Sequence, residues 1–384
     1  MSHAIVPSSG VLVGRARVTG HDHPRIVTVR DGKVFDITNK TAPTVRDIVE
    51  LGNPAAYVAG STGAALGDVD AIVQNSWTKK FDPAVPALLS PIDLQAVKAS
   101  GVTFVASLLE RVIEEQAKGD KAKADSLRDD VLKLIGADLS KIVPGSPAAM
   151  QVKEALIARG VWSQYLEVGI GPDAEIFTKG QPMSTVGFGA DVGLHPISSW
   201  NNPEPEIVLV VSSAGRIIGA TLGNDVNLRD VEGRSALLLG KAKDNNASGS
   251  VGPFIRLFDG DFTIETIKAA ELSMRVEGED GFVLDGHSNM AKISRTPESL
   301  VEATIGRHHQ YPDGLVLFLG TMFAPVKDRD GPGKGFTHKI GDVVSISTPS
   351  LGTLSNRVLL STECAPWTYG ASHLMRDLGK ADLL

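Results

Sequence analysis

The sequence is short of several features that mark whole classes of protein. Its 384 residues include one cysteine, Cys364, which excludes an internal disulfide, so we expect a reducing compartment and a cytoplasmic protein. Basic residues are also few: 38 Lys and Arg stand against 45 Asp and Glu, a net charge of -7. This balance removes the electrostatic attraction on which nucleic-acid binding depends, and nucleic acid is therefore not an expected partner.

Long apolar runs are missing as well. The longest uncharged apolar stretch, Gly314 to Val326, is too short to cross a bilayer, and Met1 to Gly20 shows no secretory signal. We therefore expect no membrane partner. Hydrophobic residues at 42% and charged residues at 22% are typical of a folded protein, and 40 glycines with 21 prolines indicate many turns.

The chain length predicts more than one domain, and the pattern of the chain changes twice. Residues 1 to about 90 alternate short β-like runs with Gly, Pro and Asn breaks, and the stretch from Asp93 to about Gln164 has helical spacing. From about Glu175 onward short strands dominate. We predict an α+β fold: a smaller N-terminal α+β domain with a helical segment, residues 1–165, and a β-rich C-terminal domain, residues 166–384.

The most informative stretch is a predicted β-hairpin with acidic residues at its open end. Two apolar runs, Pro203 to Val211 and Ile217 to Asp225, flank a short turn. Alternation along a strand places Glu204 and Glu206 on one face, and a turn centred on Ala214 and Gly215 puts Glu204 opposite Asp225 and Glu206 opposite Gly223. Three carboxylates then converge on one patch, with Gly223 leaving room for water or substrate.

Carboxylates a few ångströms apart resist ionising together unless a positive charge lies among them. A divalent cation held by Glu204, Glu206 and Asp225 meets that need, and ligation by oxygen alone fits Mg²⁺, Mn²⁺ or Ca²⁺ rather than zinc. The alternative is a hairpin whose acids simply project into solvent. The residues alone leave these two interpretations open.

The residues that follow make this region resemble the fumarylacetoacetate hydrolase family. That family combines a Glu-x-Glu strand, an Asn-Asp-x-x-x-Arg-Asp segment, a lysine nine residues before Gly-Pro, and a late Gly-Thr. This chain supplies them in order as Glu204 and Glu206, Asn224 to Asp230, Lys243 before Gly252-Pro253, and Gly320-Thr321. The resemblance covers roughly residues 165 to 365 and implies a mixed β-sandwich-like roll in a homo-oligomer.

Within the family, the chain is most similar to the longer bacterial 2-keto-3-deoxy-D-xylonate (2-dehydro-3-deoxy-D-arabinonate) dehydratases, on stretches such as Leu88 to Asp93 and Lys243 to Ser248. The resemblance implies a Mg²⁺-dependent hydro-lyase that removes water from a 2-keto-3-deoxy-pentonate and gives 2-oxoglutarate semialdehyde in pentose catabolism. It implies that Lys243 is catalytic and that Thr321 takes part in catalysis by binding the carboxylate of the small 2-oxo acid. Asn224 and Lys179 are further candidates for substrate binding, with Lys179 adding positive charge at the mouth of the site.

The general base is open between Glu114 and Glu115 on the predicted helix, for both of which a hydrated helix face is an equal alternative. Carbon-carbon hydrolases of the family use a histidine-glutamate pair to activate water, and this chain has no histidine between His23 and His195. The absence of a histidine from this stretch favours elimination over hydrolysis. The alternatives are a metal-dependent acylpyruvate or diketo-acid hydrolase, in which His21, His23 or His195 would have to reach the metal, and a catalytically silent metal-binding member.

Overall fold

We analysed a computed structural model of the chain, which describes residues 4–77, 81–118, 120, 123, 142–158, 160, 162–332 and 334–384. Within this part the side chains of residues 105–107, 109 and 114 are not described. The mixture of strands and helices confirms the predicted α+β class. No helix among the described residues combines the length and the apolar character that a membrane span requires.

The strands form two sheets of eleven and five strands. The strands are, in chain order, β1 (Leu12–Arg17), β2 (Arg25–Arg30), β3 (Lys33–Asp36), β4 (Ala64–Asp68), β5 (Ala87–Leu89), β6 (Ala96–Gly101), β7 (Glu175–Gly180), β8 (Asp191–Leu194), β9 (Pro205–Val211), β10 (Ile217–Asp225), β11 (Gly249–Leu257), β12 (Glu271–Glu277), β13 (Val283–Asn289), β14 (Leu315–Phe318), β15 (Val343–Thr348) and β16 (Gly352–Leu360). The larger sheet runs β4-β3-β2-β1-β11-β10-β9-β14-β6-β7, with β5 paired to β1, and the smaller runs β13-β12-β15-β16-β8.

The helices lie mainly outside this pair of sheets. They are α1 (Val45–Glu50), α2 (Pro54–Gly60), α3 (Val69–Trp77), α4 (Val105–Gln116), α5 (Pro147–Ala158), α6 (Gln164–Ile170), α7 (Arg229–Glu232), α8 (Leu239–Lys243), α9 (Ile264–Lys268), α10 (Pro297–Thr304) and α11 (Ala371–Lys380), with 3₁₀ turns at Ala236–Leu238 and Met290–Lys292.

Strand β9 is buried on both of its faces, which explains its uninterrupted apolar sequence. Ile207 and Leu209 pack in the core between the two sheets, with Met274 and Ile346 of the smaller sheet. Val208 and Val210, on the opposite face, pack with residues of α1 and α2. The acidic end of the hairpin is therefore fixed by a strand that is covered on both sides.

Helix α4 lies beside the ends of the strands that carry the acidic residues, where its Arg111 contacts Glu204. Leu108, Val112 and Ile113 recur at helical spacing and are buried against Leu166 and Ile170 of α6. The predicted helical tract is wrong at its start, because residues before Val105 include strand β6 and Val102 has a positive φ of 53°. Residues 119, 121, 122 and 124–141 of that tract lie outside the described residues.

Strand pairing runs across the predicted domain boundary. β1 pairs with β11, and β6 lies between β14 and β7 in the same sheet. Strands from the two predicted domains thus share one hydrogen-bonded ladder, and the division at residue 165 stays a prediction. This continuity brings β6 and β7 beside the acidic hairpin.

Candidate active site

The hairpin register places the acidic residues as the sequence predicts. Glu206 lies opposite Gly223, and the backbone N–H of Asp225 donates to the Glu204 carbonyl at 3.0 Å. At the turn the predicted pairing is wrong by one residue, since the Ser212 N–H donates to the Arg216 carbonyl at 2.9 Å. A β-bulge between Ile217 and Gly219 absorbs the difference, so the open end keeps its register.

Three carboxylates converge at that open end. Glu204, Glu206 and Asp225 each offer an oxygen within 4.8 Å of the others, and the three residues are only 2%, 1% and 1% exposed. These side chains therefore face the protein interior and do not project into solvent. Gly223 does not leave room for water or substrate as predicted, because a Cβ there would lie 2.4 Å from the ring of Phe318.

Positive side chains surround two of the three carboxylates. Lys243 Nζ lies 2.5 Å from one oxygen of Glu204 and 3.0 Å from Asp225, whose other oxygen lies 2.9 Å from Lys179 Nζ. The remaining oxygen of Glu204 accepts a hydrogen bond from Arg111, which also lies 2.8 Å from Glu232. Both oxygens of Glu204 are thus occupied by cations of the protein.

Glu206 has a different environment. Its carboxylate accepts a hydrogen bond from the Gly320 N–H at 2.7 Å and a longer one, 3.4 Å, from the Thr321 hydroxyl. Gly320 has a φ of +98°, and a Cβ there would lie 2.0 Å from the Thr103 hydroxyl, so this approach requires glycine. Burial, together with the charges of Asp225 and Glu204, holds the pKa of Glu206 well above its usual range.

Burial and neighbouring charges also shift the pKa values of the other titratable groups of the cluster. Burial and then the neighbouring carboxylate of Glu232 raise the pKa of Glu175 to about 7. Burial opposes the ionisation of Asp225, but Lys179 and Lys243 outweigh it and lower the pKa of that carboxyl. Burial likewise opposes the charge on Lys243, and Asp225 and Glu204 outweigh it and raise its pKa. Lys243 is therefore an ammonium ion in the closed cavity.

The described cluster carries more acid than base. With every group ionised, the five acids exceed the three bases by two negative charges. The acids are Glu175, Glu204, Glu206, Asp225 and Glu232, and the bases are Arg111, Lys179 and Lys243. One divalent cation balances that excess. The donor set is made of oxygen atoms, which fits a hard cation such as Mg²⁺.

The remaining predicted residues fall into different places. Thr321 and Lys243 line the cavity, whereas Lys241 is exposed. Lys179 is 2% exposed and lies behind Asp225, deep in the fold and not at a mouth. Asn224 lies outside the cavity lining, and its side-chain oxygen accepts from the Glu204 N–H at 3.0 Å, so it supports the strand that carries the acids.

The two candidates for the general base are placed on α4. Glu115 is half-buried and is not among the described residues that line the cavity. The side chain of Glu114 lies outside the described part of the structure. Neither is brought to the carboxylates by an observed contact.

Sequence reasoning missed Glu175 and Glu232 and did not assign a role to Arg111. Glu175 begins the edge strand β7 and pairs with Gly101 of β6, where a Cβ would lie 1.9 Å from the Glu175 carboxylate. Glu232 is in the short helix α7, and Arg111 reaches in from α4. A glycine opposite an acid at a strand end was the available signal, but it needs the β6–β7 pairing, which the sequence does not reveal.

Histidine is absent from the lining of this cavity among the residues that the structure describes. His21 and His23 line a separate cavity of about 490 Å³ beside Arg15, Trp367 and Tyr369. His195 accepts a hydrogen bond from the Ile197 N–H at 3.1 Å. None of the three histidines is placed in contact with the carboxylates.

Several known proteins are similar to this chain in sequence or in fold. A probable 2-keto-3-deoxyxylonate dehydratase of Haloferax volcanii is 25% identical over 87% of this chain and 95% of its own length. A 2-dehydro-3-deoxy-D-arabinonate dehydratase of Saccharolobus solfataricus is 32% identical over 47% of this chain and 57% of its own. Among solved structures, 2-keto-3-deoxy-D-arabinonate dehydratase complexed with magnesium and 2,5-dioxopentanoate aligns with a TM-score of 0.60, at 21% identity, over 90% of this chain and 98% of that chain.

The broader fold extends beyond dehydratases. A 5-carboxymethyl-2-hydroxymuconate delta-isomerase of Mycobacterium smegmatis aligns with a TM-score of 0.53, at 19% identity, over 91% of this chain and 98% of that one. Residues 164–359 match the family described as fumarylacetoacetate (FAA) hydrolase, C-terminal, and that span contains Glu204, Glu206, Asp225, Lys243 and Thr321. The chain therefore belongs to the fumarylacetoacetate hydrolase family.

Proposed function

We propose that this protein is a Mg²⁺-dependent dehydratase, a carbon-oxygen lyase, that converts a 2-keto-3-deoxy-pentonate to 2-oxoglutarate semialdehyde. The observation that carries the proposal is the convergence of the three buried carboxylates of Glu204, Glu206 and Asp225, with Lys243 as an ammonium ion beside them. The names of the relatives supply the substrate class. A cytoplasmic location and a homo-oligomeric state stay predictions.

Glu204, Glu206 and Asp225 would hold the cation, and Mn²⁺ or Ca²⁺ would suit the same oxygen donors. When bound, a divalent cation polarises the 2-oxo group and makes the C3 hydrogen of the substrate acidic. Lys243 contributes a fixed positive charge that stabilises the negative charge developing on the substrate oxygen. Thr321, whose hydroxyl contacts Glu206, offers a hydrogen bond to the substrate carboxylate.

Glu175 is our proposed general base, in place of Glu114 or Glu115. It lines the same cavity as the three carboxylates, and a pKa of about 7 lets it hold or release a proton near neutrality. It accepts the C3 proton, and departure of the C4 hydroxyl as water requires a proton, which Glu175 can return. A final proton shift gives the product.

Histidine content favours elimination over hydrolysis. A hydrolase of this kind needs a base that activates water, and the described lining of the cavity holds no histidine. The acids and the ammonium group suit proton abstraction next to a carbonyl. We therefore rank the dehydratase above the acylpyruvate hydrolase.

Substrate entry requires side-chain movement. The closed cavity has a volume of about 10 Å³, which is close to the space of one water molecule. Arg111 and Lys243 each contact one oxygen of Glu204, so we expect these ion pairs to shift when that carboxylate binds the metal. Arg111, on α4, keeps its ion pair with Glu232 and could meet the carboxylate of the incoming acid once its contact with Glu204 opens.

The direct test is to incubate the protein with Mg²⁺ and 2-keto-3-deoxypentonate and to identify the products by mass spectrometry. The proposal expects one product that has lost one water, and no reaction after treatment with a chelator. Two carbon fragments from an acylpyruvate would establish the hydrolase instead. Tight metal binding without turnover of either substrate type would indicate a catalytically silent member.

A further inference from the structure

The ladder that carries the acids continues by one more rung. The Asn202 N–H donates to the Asn227 carbonyl and the Asn227 N–H donates to the Asn202 carbonyl, both at 3.1 Å. This pair keeps the register that sets Glu204 opposite Asp225. Alternation places the side chain of Asn202 on the face of Glu204 and Glu206, and two residues of strand separate the rungs by roughly 7 Å.

Three of the four side-chain amide atoms of this rung lack hydrogen-bond partners. The Asn202 side-chain oxygen, and both the oxygen and the nitrogen of the Asn227 side chain, are buried without one in the part of the chain that the structure describes, whereas the Asn202 nitrogen donates to the Pro203 carbonyl at 2.9 Å. The two residues are 1% and 0% exposed. Native proteins satisfy nearly all such buried groups with protein, water or ligand, so an unpaired atom that borders a cavity marks a position for water or a ligand.

Asn202 lines a small cavity that adjoins the carboxylates. Its other described lining residues are Glu110, Arg111, Glu204, Arg229, Thr321 and Ala324, and three of these (Arg111, Glu204 and Thr321) also line the carboxylate cavity. The two cavities therefore meet at shared side chains. A molecule held at the acids would extend into the space beside Asn202.

The charge of this second cavity is balanced internally. The Arg229 guanidinium lies 3.6 Å from Glu110 and packs over the ring of Trp200, with its carbon 4.8 Å from the ring centre. What remains unpaired on this lining is the neutral side-chain oxygen of Asn202, which is an acceptor; Asn227 is not among the lining residues. A hydroxyl group can donate to that oxygen, whereas a methyl group cannot.

We propose that the side-chain oxygen of Asn202 binds the distal hydroxyl of the substrate and thereby selects hydroxylated 2-oxo acids over acids with an apolar tail. This rests on the proposed function, since the 2-oxo acid end must be held at Glu204, Glu206 and Asp225. The two-residue step between the rungs is comparable to the length of a five-carbon chain, so a pentonate reaches Asn202. Asn202 is a specificity residue in this scheme.

The test compares two unreactive ligands that differ only at the far end, 5-hydroxy-2-oxopentanoate and 2-oxopentanoate, binding to the Mg²⁺-loaded protein by calorimetry. We expect the hydroxylated ligand to bind about tenfold to a hundredfold more tightly, as for one satisfied buried polar pair. Equal binding would overturn the inference and leave the proposed function intact. Binding of neither ligand would instead count against the proposed function.

Variants test whether Asn202 is the residue that causes the preference between the two ligands. Asn202→Leu should abolish the preference between the two ligands, while Asn39→Leu, the same change at a half-buried residue of the N-terminal region, should keep it. With the pentonate as substrate, Asn202→Leu should raise KM and change kcat less, because the hydroxyl is held equally before and during the reaction. If a folded Asn202→Leu protein keeps the preference, Asn202 is not the residue that selects the hydroxylated ligand. If the variant does not fold, the comparison of the two ligands on the wild-type protein still tests the proposal.

Discussion

Two cavities in this molecule differ in almost every respect that matters for chemistry. One has a volume of about 490 Å³ and is lined by His21, His23 and aromatic residues including Trp367. The other has about 10 Å³ and is lined by five carboxylates with Arg111 and Lys243. The first is much the larger of the two, whereas concentrated charge, raised carboxyl pKa values and family motifs select the second.

The comparison shows why volume is a poor guide when the cavity is charged. Ion pairs between acids and bases draw side chains together and fill the space that a cation and a substrate would otherwise occupy. The raised pKa of Glu206, caused by burial and neighbouring acids, marks the position where charge is uncompensated. If the reaction takes place in the small cavity, substitutions of its lining residues should lower activity, whereas substitutions in the large cavity should not.

Glu206→Gln should have the largest effect. The variant removes one charged oxygen ligand, so we expect turnover to fall by more than about a hundredfold and Mg²⁺ affinity to fall with it. The metal-free variant should melt at or above the wild-type temperature, because the raised pKa means that ionised Glu206 opposes folding at neutral pH. Calorimetry and thermal melting measure both. Retained metal-dependent turnover would remove Glu206 from the site.

Glu175→Gln should come next, with kcat lower by about 10²- to 10⁴-fold, because a general base is lost. The base must be deprotonated, so wild-type activity should rise with pH towards its pKa of about 7, and bound metal should shift that limb to lower pH. The variant should lose the acid limb in a pH profile of kcat.

The control for that experiment is Glu115→Gln on the neighbouring helix. Glu115 lies outside the lining of the cavity and should keep the wild-type pH profile. If Glu115→Gln loses the acid limb and Glu175→Gln keeps it, the base is on α4, as the sequence predicts, and our assignment is wrong.

Lys243→Met should leave metal binding intact and lower turnover by roughly a hundredfold, because a preorganised positive charge is lost. Removing the ammonium leaves Glu204 and Asp225 with one fewer cation, so Mg²⁺ affinity should stay equal or increase. Lys241→Met, on the same short helix but exposed, should match the wild type. Equal losses in both variants would point to the helix rather than to the Lys243 ammonium.

Much of the charged cavity could be predicted from the sequence, because its acids lie on one local hairpin. Strand alternation and a two-strand register are enough to bring Glu204, Glu206 and Asp225 together. Glu175 and Arg111 could not be found in this way, since their positions depend on β6 joining β14 and on α4 folding beside the strand ends. These contacts are long-range, and neither periodicity nor spacing encodes them. The bulge next to the turn is likewise a product of packing and not of the turn residues alone.

The smallest expected effect is in the large cavity, and it separates the two chemistries most directly. His23 is held by Arg25, whose guanidinium donates to its Nε2 at 3.0 Å, and burial lowers the pKa of its ring. It is therefore a neutral structural residue, while His21 is exposed.

His21→Gln and His23→Gln should change kcat on the pentonate by less than about twofold, with His23→Gln lowering the melting temperature slightly through the lost contact. A hydrolase that used either ring to activate water would lose its activity in one of these variants. A large loss there, in protein that still binds Mg²⁺ at the acids, would place a histidine in the reaction and favour carbon-carbon cleavage over dehydration.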